Sequence, residues 1–124
     1  VIGAAIEVHK IIGRGLLESV YQKCMTEELL QRKINFCVEL KMPIVYKGKL
    51  LDVDFKCDFF IEDCRVVELK AVKDFTSVFE AQLLTYMKLL KAPKGILINF
   101  NSANIFSEGQ RTYVNEYFRR LKHE

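Results

Sequence analysis

The sequence contains no run of about 18 apolar residues, the length a helix needs to cross a bilayer, so a membrane span is excluded. It has no Gly/Ser/Pro-rich stretch that would act as a linker, and no internal repeat. Its four cysteines, at 24, 37, 57 and 64, include no C-x-x-C pair, which argues against a zinc or iron–sulfur centre. Reduced, buried thiols in a cytoplasmic protein explain them better than a disulfide framework. The apolar start Val1-Ile2-Gly3-Ala4-Ala5-Ile6 has no basic leader and no cleavage-site pattern, so it does not read as a signal peptide. It has no initiator Met and begins inside a helical pattern, and the expectation is a piece of a slightly longer chain.

What is present fits a single globular domain spanning 1–124. Half of the residues are hydrophobic and 28% are charged, which is ordinary for a folded protein. The net charge of +3 permits a nucleic-acid partner without demanding one. The dense basic cluster Arg119-Arg120-Leu121-Lys122 reads first as the solvated end of a helix.

The apolar period is helical at the start, with Ile2, Ile6, His9 and Lys10 on helical spacing, and Gly13-Arg14-Gly15 ends that segment. A second helix is expected over about 16–32, with Leu17, Val20, Tyr21, Cys24 and Leu29 on its apolar side. The period then changes to two, giving strand-like stretches at about 36–41, 43–47, 50–61 and 65–72. Pro43 marks a break or bulge, Lys47-Gly48 a hairpin turn, and Glu62-Asp63-Cys64 a three-residue loop. A third helix follows over about 77–91 and ends before Pro93 and Gly95, and 95–100 reads as a short buried strand. The stretch 111–122 reads as a strand passing into a helix. This order predicts an α/β domain with a mixed sheet.

The chemistry concentrates in the hairpin closed by Glu62-Asp63-Cys64. If Ile61 faces Arg65, then Asp58 faces Glu68, and opposed residues share a face. Lys70, two residues on, joins that face together with Asp54 and Lys56. The other face, carrying Val53, Phe55, Cys57, Phe59, Ile61, Val67, Leu69 and Ala71, is read as the core face. Two facing carboxylates repel unless a cation lies between them, and Mg2+ typically takes one or two carboxylates plus waters and phosphate. A nearby lysine can position the attacking water and offset charge on the phosphate. The pattern D-x9-E-x-K on a hairpin is therefore a coherent site for phosphodiester hydrolysis, against the plainer reading of a solvated charged face. The register also sets Lys56 against Lys70, an unfavourable pair.

On the third helix Val78, Ala81, Gln82, Thr85, Tyr86 and Leu89 are read as one stripe facing the sheet. Gln82 in that stripe needs hydrogen-bond partners: a backbone group, or a site water and Lys70. On the second helix Glu18 and Tyr21 are neighbours at i, i+3, and Glu18 also sits in the first turn, where a carboxylate suits the helix dipole. By itself, His9 reads as a structural histidine.

Gly15-Leu16-Leu17-Glu18-Ser19-Val20-Tyr21 resembles the signature of the GxxExxY proteins, a branch of the PD-(D/E)XK nuclease superfamily. Ala5-Ile6-Glu7-Val8-His9-Lys10 and Asn99-Phe100-Asn101 are similar to the same family, and Gln82-Leu83-Leu84-Thr85-Tyr86 resembles the Q-x-x-x-Y motif of RecB-like nucleases. The resemblance implies a central four-stranded mixed sheet flanked by helices. It also implies Asp58 and Glu68 as ligands of Mg2+ or Mn2+, Lys70 as the catalytic lysine and Gln82 as its orienter. It makes Glu18 an added metal carboxylate, with His9, Tyr21 and Tyr86 as accessory residues. Cys57 stands where the superfamily name has proline. The expected activity is a metal-dependent nuclease, acting on DNA. The alternatives are a nucleic-acid-binding or assembly module that cleaves little, and a protein–protein module using the sheet edge or the 113–121 region. A homodimer or a protein partner stays open, and no membrane partner is expected.

Overall fold

A computed structural model describes residues 1–117. The cluster Arg119-Arg120-Leu121-Lys122 and the remainder of the strand-to-helix expectation beyond 117 lie outside the described residues. The chain runs α1 (Ile2–Ile12), α2 (Glu18–Gln31), β1 (Phe36–Lys41), β2 (Ile44–Tyr46), β3 (Lys49–Leu51) and β4 (Lys56–Ile61). It continues with β5 (Arg65–Lys70), α3 (Ser77–Leu90), β6 (Lys94–Asn99) and β7 (Gln110–Val114). None of the described helices is long and apolar enough to cross a membrane.

Five strands form one mixed sheet in the order β1-β4-β5-β6-β7, in which only β5 and β6 run parallel. They are joined by α3, the long crossover that parallel strands require. β7 extends the sheet beyond the four strands expected. The stretch read as one strand over 50–61 divides. β3 pairs with β2 across the Lys47-Gly48 turn as a separate two-stranded ribbon. Lys47 at φ 50° and Gly48 at φ 79° supply the positive dihedrals that such a hairpin turn needs. Pro43 stands between β1 and β2, where its missing N–H ends the ladder.

Both faces of the sheet are covered. On one, Ala4, Ala5 and Val8 of α1 and Tyr21, Met25 and Leu29 of α2 pack on Phe59, Ile61, Val67, Leu69, Ile96 and Ile98. On the other, Leu83, Tyr86 and Met87 of α3 pack on Cys57, Val66 and Leu97. The central strands β5 and β6 are accordingly buried on successive residues rather than on alternate ones. Gly95 lets α3 approach: a Cβ there would lie 2.5 Å from Met87 Sδ and 3.0 Å from Leu83 Cγ.

Two face assignments from the sequence are corrected. Cys57 and Phe55 do not lie with Phe59 and Ile61; they belong to the α3 cluster. The alternation breaks between Cys57 and Phe59, and Glu39, which the register sets opposite Asp58, takes the left-handed conformation at φ 53°. Likewise the buried stripe of α3 is Leu83, Tyr86 and Met87 with Phe79 and Leu90, whereas Val78, Ala81, Thr85 and Leu89 are exposed. Gln82 sits half-buried at the margin of that stripe. The cysteines are all free, but only Cys57 is buried, and Cys37 is exposed.

Candidate functional site

The hairpin β4–β5 is a ladder for three steps, Ile61↔Arg65, Phe60↔Val66 and Phe59↔Val67. At the next step, where Asp58 would pair with Glu68, the ladder opens and side chains take over. The Asp58 N–H donates to Glu68 Oε1 at 2.8 Å, and the Leu69 N–H donates to Asp58 Oδ2 at 2.8 Å. Each carboxylate thus satisfies a backbone amide of the opposite strand, at the short separation typical of charge-assisted bonds. Among the described residues, no hydrogen bond is made to the remaining oxygens, Asp58 Oδ1 and Glu68 Oε2. The opening also removes the clash of lysines expected from an unbroken register. Lys56 pairs in register with Lys41 of β1, and its ammonium lies 3.7 Å from both Glu39 and Asp54. Asp54 is therefore an exposed partner of Lys56 and not part of the carboxylate pair.

Glu68 is only 5% exposed, and a buried carboxylate with a like neighbour is expensive to ionise. Burial first, then the Asp58 charge, pushes Glu68 up to about 8, against the pull of its hydrogen bond and of Lys70. Asp58 is also raised, chiefly by burial, with its bond from Leu69 and the Lys70 charge opposing. Glu18, exposed at the start of α2, adds negative potential at both carboxyls. Beside the pair, burial and the Glu68 charge push the Cys57 thiol up to about 12, so it stays neutral and donates to the Phe59 carbonyl at 3.7 Å.

Lys70, the last residue of β5, shares the α3 face with Val66 and Glu68. Its ammonium makes no ion pair among the described residues and lies 4.6 Å from the centroid of the Phe79 ring. Phe79 was not singled out in the sequence, although it precedes Gln82 by three positions and shares its side of α3. Gln82 Nε2 donates to Tyr86 Oη at 3.0 Å, one turn on. Tyr86 is buried against Phe55, with ring centroids 4.9 Å apart, and burial together with the Glu68 charge raises its phenol to about 12.

Two of the accessory residues have structural partners. Tyr21 is fully buried and stacks on Phe100 at 4.4 Å; its hydroxyl donates to the Gly13 carbonyl and accepts from the Leu16 N–H. It thereby closes the loop in which Gly15 takes φ 93°, a conformation that favours glycine. The G-x-x-E-x-x-Y pattern is thus a loop clamp that delivers Glu18 at the first turn of α2. His9 Nε2 lies 2.9 Å from the Ser102 carbonyl. Asn99, buried, bonds both the Val72 N–H and the Val72 carbonyl and so fixes the chain just beyond Lys70.

Among the described residues, no group of three or more His, Cys, Asp or Glu side chains is arranged around a metal position. The donor set at the ladder opening is two carboxylates with an oxygen each to spare. That suits a hard divalent cation that keeps most of its waters, and a cation there would offset the burial that chiefly raises both groups and the Asp58 charge that adds to it at Glu68. The pair therefore fits a group of this kind.

Neither a curated protein nor a solved structure matches the chain. One family model does match, over residues 1–112, and it takes in α1, the Gly15–Tyr21 loop, the carboxylate hairpin, Lys70 and α3. By that match the chain belongs to the PD-(D/E)XK nuclease superfamily.

Proposed function

We propose that the protein is a divalent-metal-dependent nuclease of the GxxExxY branch that hydrolyses phosphodiester bonds in DNA. The observation that carries this reading is the opening of the β4–β5 ladder, where Asp58 and Glu68 replace main-chain pairing with two reciprocal bonds. A purely structural hairpin would continue its ladder there and would not set a buried Glu68 beside a half-buried Asp58. Asp58 and Glu68 would hold Mg2+ or Mn2+, with Glu18 as an added carboxylate from α2. When bound, such a cation supplies Lewis acidity towards the phosphate and a more acidic water.

The chain's own groups do the rest. Among the described residues the Lys70 ammonium has no carboxylate partner; seated on the Phe79 ring, it can donate to the attacking water and to a phosphate oxygen. Water attacks phosphorus as the bond to the leaving sugar oxygen breaks; the proton the attacking water loses passes to solvent, and the leaving oxygen takes one from solvent. Gln82 and Tyr86 act as a pair beneath the carboxylates: the amide donates to the phenol oxygen, leaving the phenol hydrogen to donate towards Glu68 or a site water. The reading is tested by single-turnover cleavage of single- and double-stranded DNA and RNA with Mg2+, Mn2+ or EDTA. Metal-dependent cutting that EDTA stops is expected. Binding of nucleic acid without cutting in any metal would replace the nuclease with a binding module.

A further inference from the structure

A cleft of about 330 Å³ lies over the carboxyl ends of the parallel strands β5 and β6. In open α/β sheets this is where ligands commonly bind. Three cations enter it from separate segments: Arg14 from the α1–α2 loop, Lys73 from the β5–α3 loop and Arg111 from β7. Their backbone supports are built. Tyr21 clamps the ends of the Arg14 loop, and Asn99 holds the Lys73 loop through both polar groups of Val72. Arg111 is a strand residue paired with Leu97, and its guanidinium lies 5.2 Å from the Phe75 ring centroid, which leaves its N–H edge available. None of the three makes an ion pair within the described residues. Asp74 and Glu108 also line the cleft, so three cations against two carboxylates leave a net charge of +1. That suits one phosphodiester charge.

The cleft adjoins the carboxylate site. Lys70 is in register with Asn99, which lines the cleft, and Lys73 lies three residues further on, no more than about 11 Å of chain. A strand whose phosphate lay at Lys70 would thus pass a neighbouring phosphate to Arg14, Lys73 and Arg111. We propose that this cleft binds a phosphate of the nucleic-acid strand next to the one being cut, an inference that rests on the nuclease reading above. It sets the path of the strand across the sheet end and contributes to substrate binding rather than to the chemical step.

The test compares Arg14→Ala/Lys73→Ala/Arg111→Ala with Lys23→Ala/Lys49→Ala/Lys88→Ala. All six positions are exposed, the charge change is the same, and the second set lies outside the cleft. A fluorescein-labelled DNA duplex is titrated by anisotropy in EDTA across a range of salt, and cleavage kinetics are taken with Mg2+. The cleft variant should bind at least about tenfold more weakly, with a salt slope reduced by about one and the cleavage loss carried in KM. The control variant should weaken binding less than threefold. Equal losses in both variants while wild type cuts DNA would overturn the cleft and leave the nuclease standing. Selective loss of binding in the cleft variant of a protein that cuts nothing would overturn the nuclease reading and keep the cleft as a phosphate site. Wild type that neither binds nor cuts overturns both.

Discussion

Glu68 accepts the N–H of Asp58 at 2.8 Å, and among the described residues no cationic side chain bonds its buried carboxyl. This predicts an inverted pH dependence. Glu68 titrates at about 8 in the folded protein against 4.5 as the ordinary value. Between those values the folded protein holds a proton that the unfolded chain has lost, so raising the pH favours unfolding. The contribution is fully present below about 4.5 and is lost as pH rises through about 8, and the upward shift of Asp58 has the same sign. Melting temperatures in EDTA from pH 5 to 8.5 should fall more steeply for wild type than for Glu68→Gln. Parallel curves would show that Glu68 is already ionised at pH 5.

Metal should reverse that loss. Mg2+ or Mn2+ bound only to the folded protein adds about 2.7 kcal/mol at a hundredfold excess over Kd. Asp58→Ala or Glu68→Ala should abolish the rise in melting temperature, while either change also removes the repulsion and can stabilise the metal-free protein. An equal response in wild type and both variants would place the ion elsewhere.

Tyr21 tests whether its motif is chemical or architectural. Its hydroxyl spans the Gly13 carbonyl and the Leu16 N–H, both in the loop that leads to Glu18. Tyr21→Phe keeps the stack on Phe100 but strands both groups, and should cost about 1–3 kcal/mol in urea unfolding. The metal-induced rise in melting temperature should persist. Loss of that rise with no loss of stability would instead make Tyr21 part of the metal site.

Much of this arrangement was legible from the sequence because the hairpin loop fixes its register: Glu62-Asp63-Cys64 sets Ile61 against Arg65, and counting on brings Asp58 to Glu68. The face of Cys57 was not legible. A period of two carries across a strand only while the backbone stays regular, and here Glu39 at φ 53° and Asp58 with its carboxylate bond break the alternation. The α3 stripe was misread by a rotation because Val78, Ala81 and Leu89 are as apolar as the residues that pack. Packing on Val66 and Leu97, with the close approach at Gly95, shows that Leu83 and Met87 face the sheet. The family motif around Gly15 pointed to Glu18, but the clamp made by Tyr21 depends on main-chain groups that no side-chain pattern reveals. β7 gave a weak signal because it is an edge strand with mostly exposed side chains.

The last prediction separates catalysis from metal binding. Lys70 bonds to neither carboxylate, and its ammonium rests on Phe79, so removing it leaves the ligand oxygens and their amide bonds in place. Its charge does lower both carboxyls, so without it metal-free Asp58 and Glu68 should hold their protons more tightly. At pH 8 and above that matters least. There Lys70→Ala should keep the metal-induced rise in melting temperature close to wild type. Cleavage should fall by about a hundredfold or more, the usual loss when one positioned charge is taken from such a site. Gln82→Ala should cost less, because it acts on Tyr86 and through it on the carboxylates. Phe79→Leu keeps the bulk but removes the ring face that seats the ammonium, a contact worth about 0.5–2 kcal/mol, and should fall between the two. Single-turnover rates with metal titration for each variant make the measurement. A Lys70→Ala protein that cleaves as fast as wild type would remove Lys70 from the chemistry. A variant that loses the metal response along with cleavage would make Lys70 a support of the carboxylate pair rather than a partner of the water.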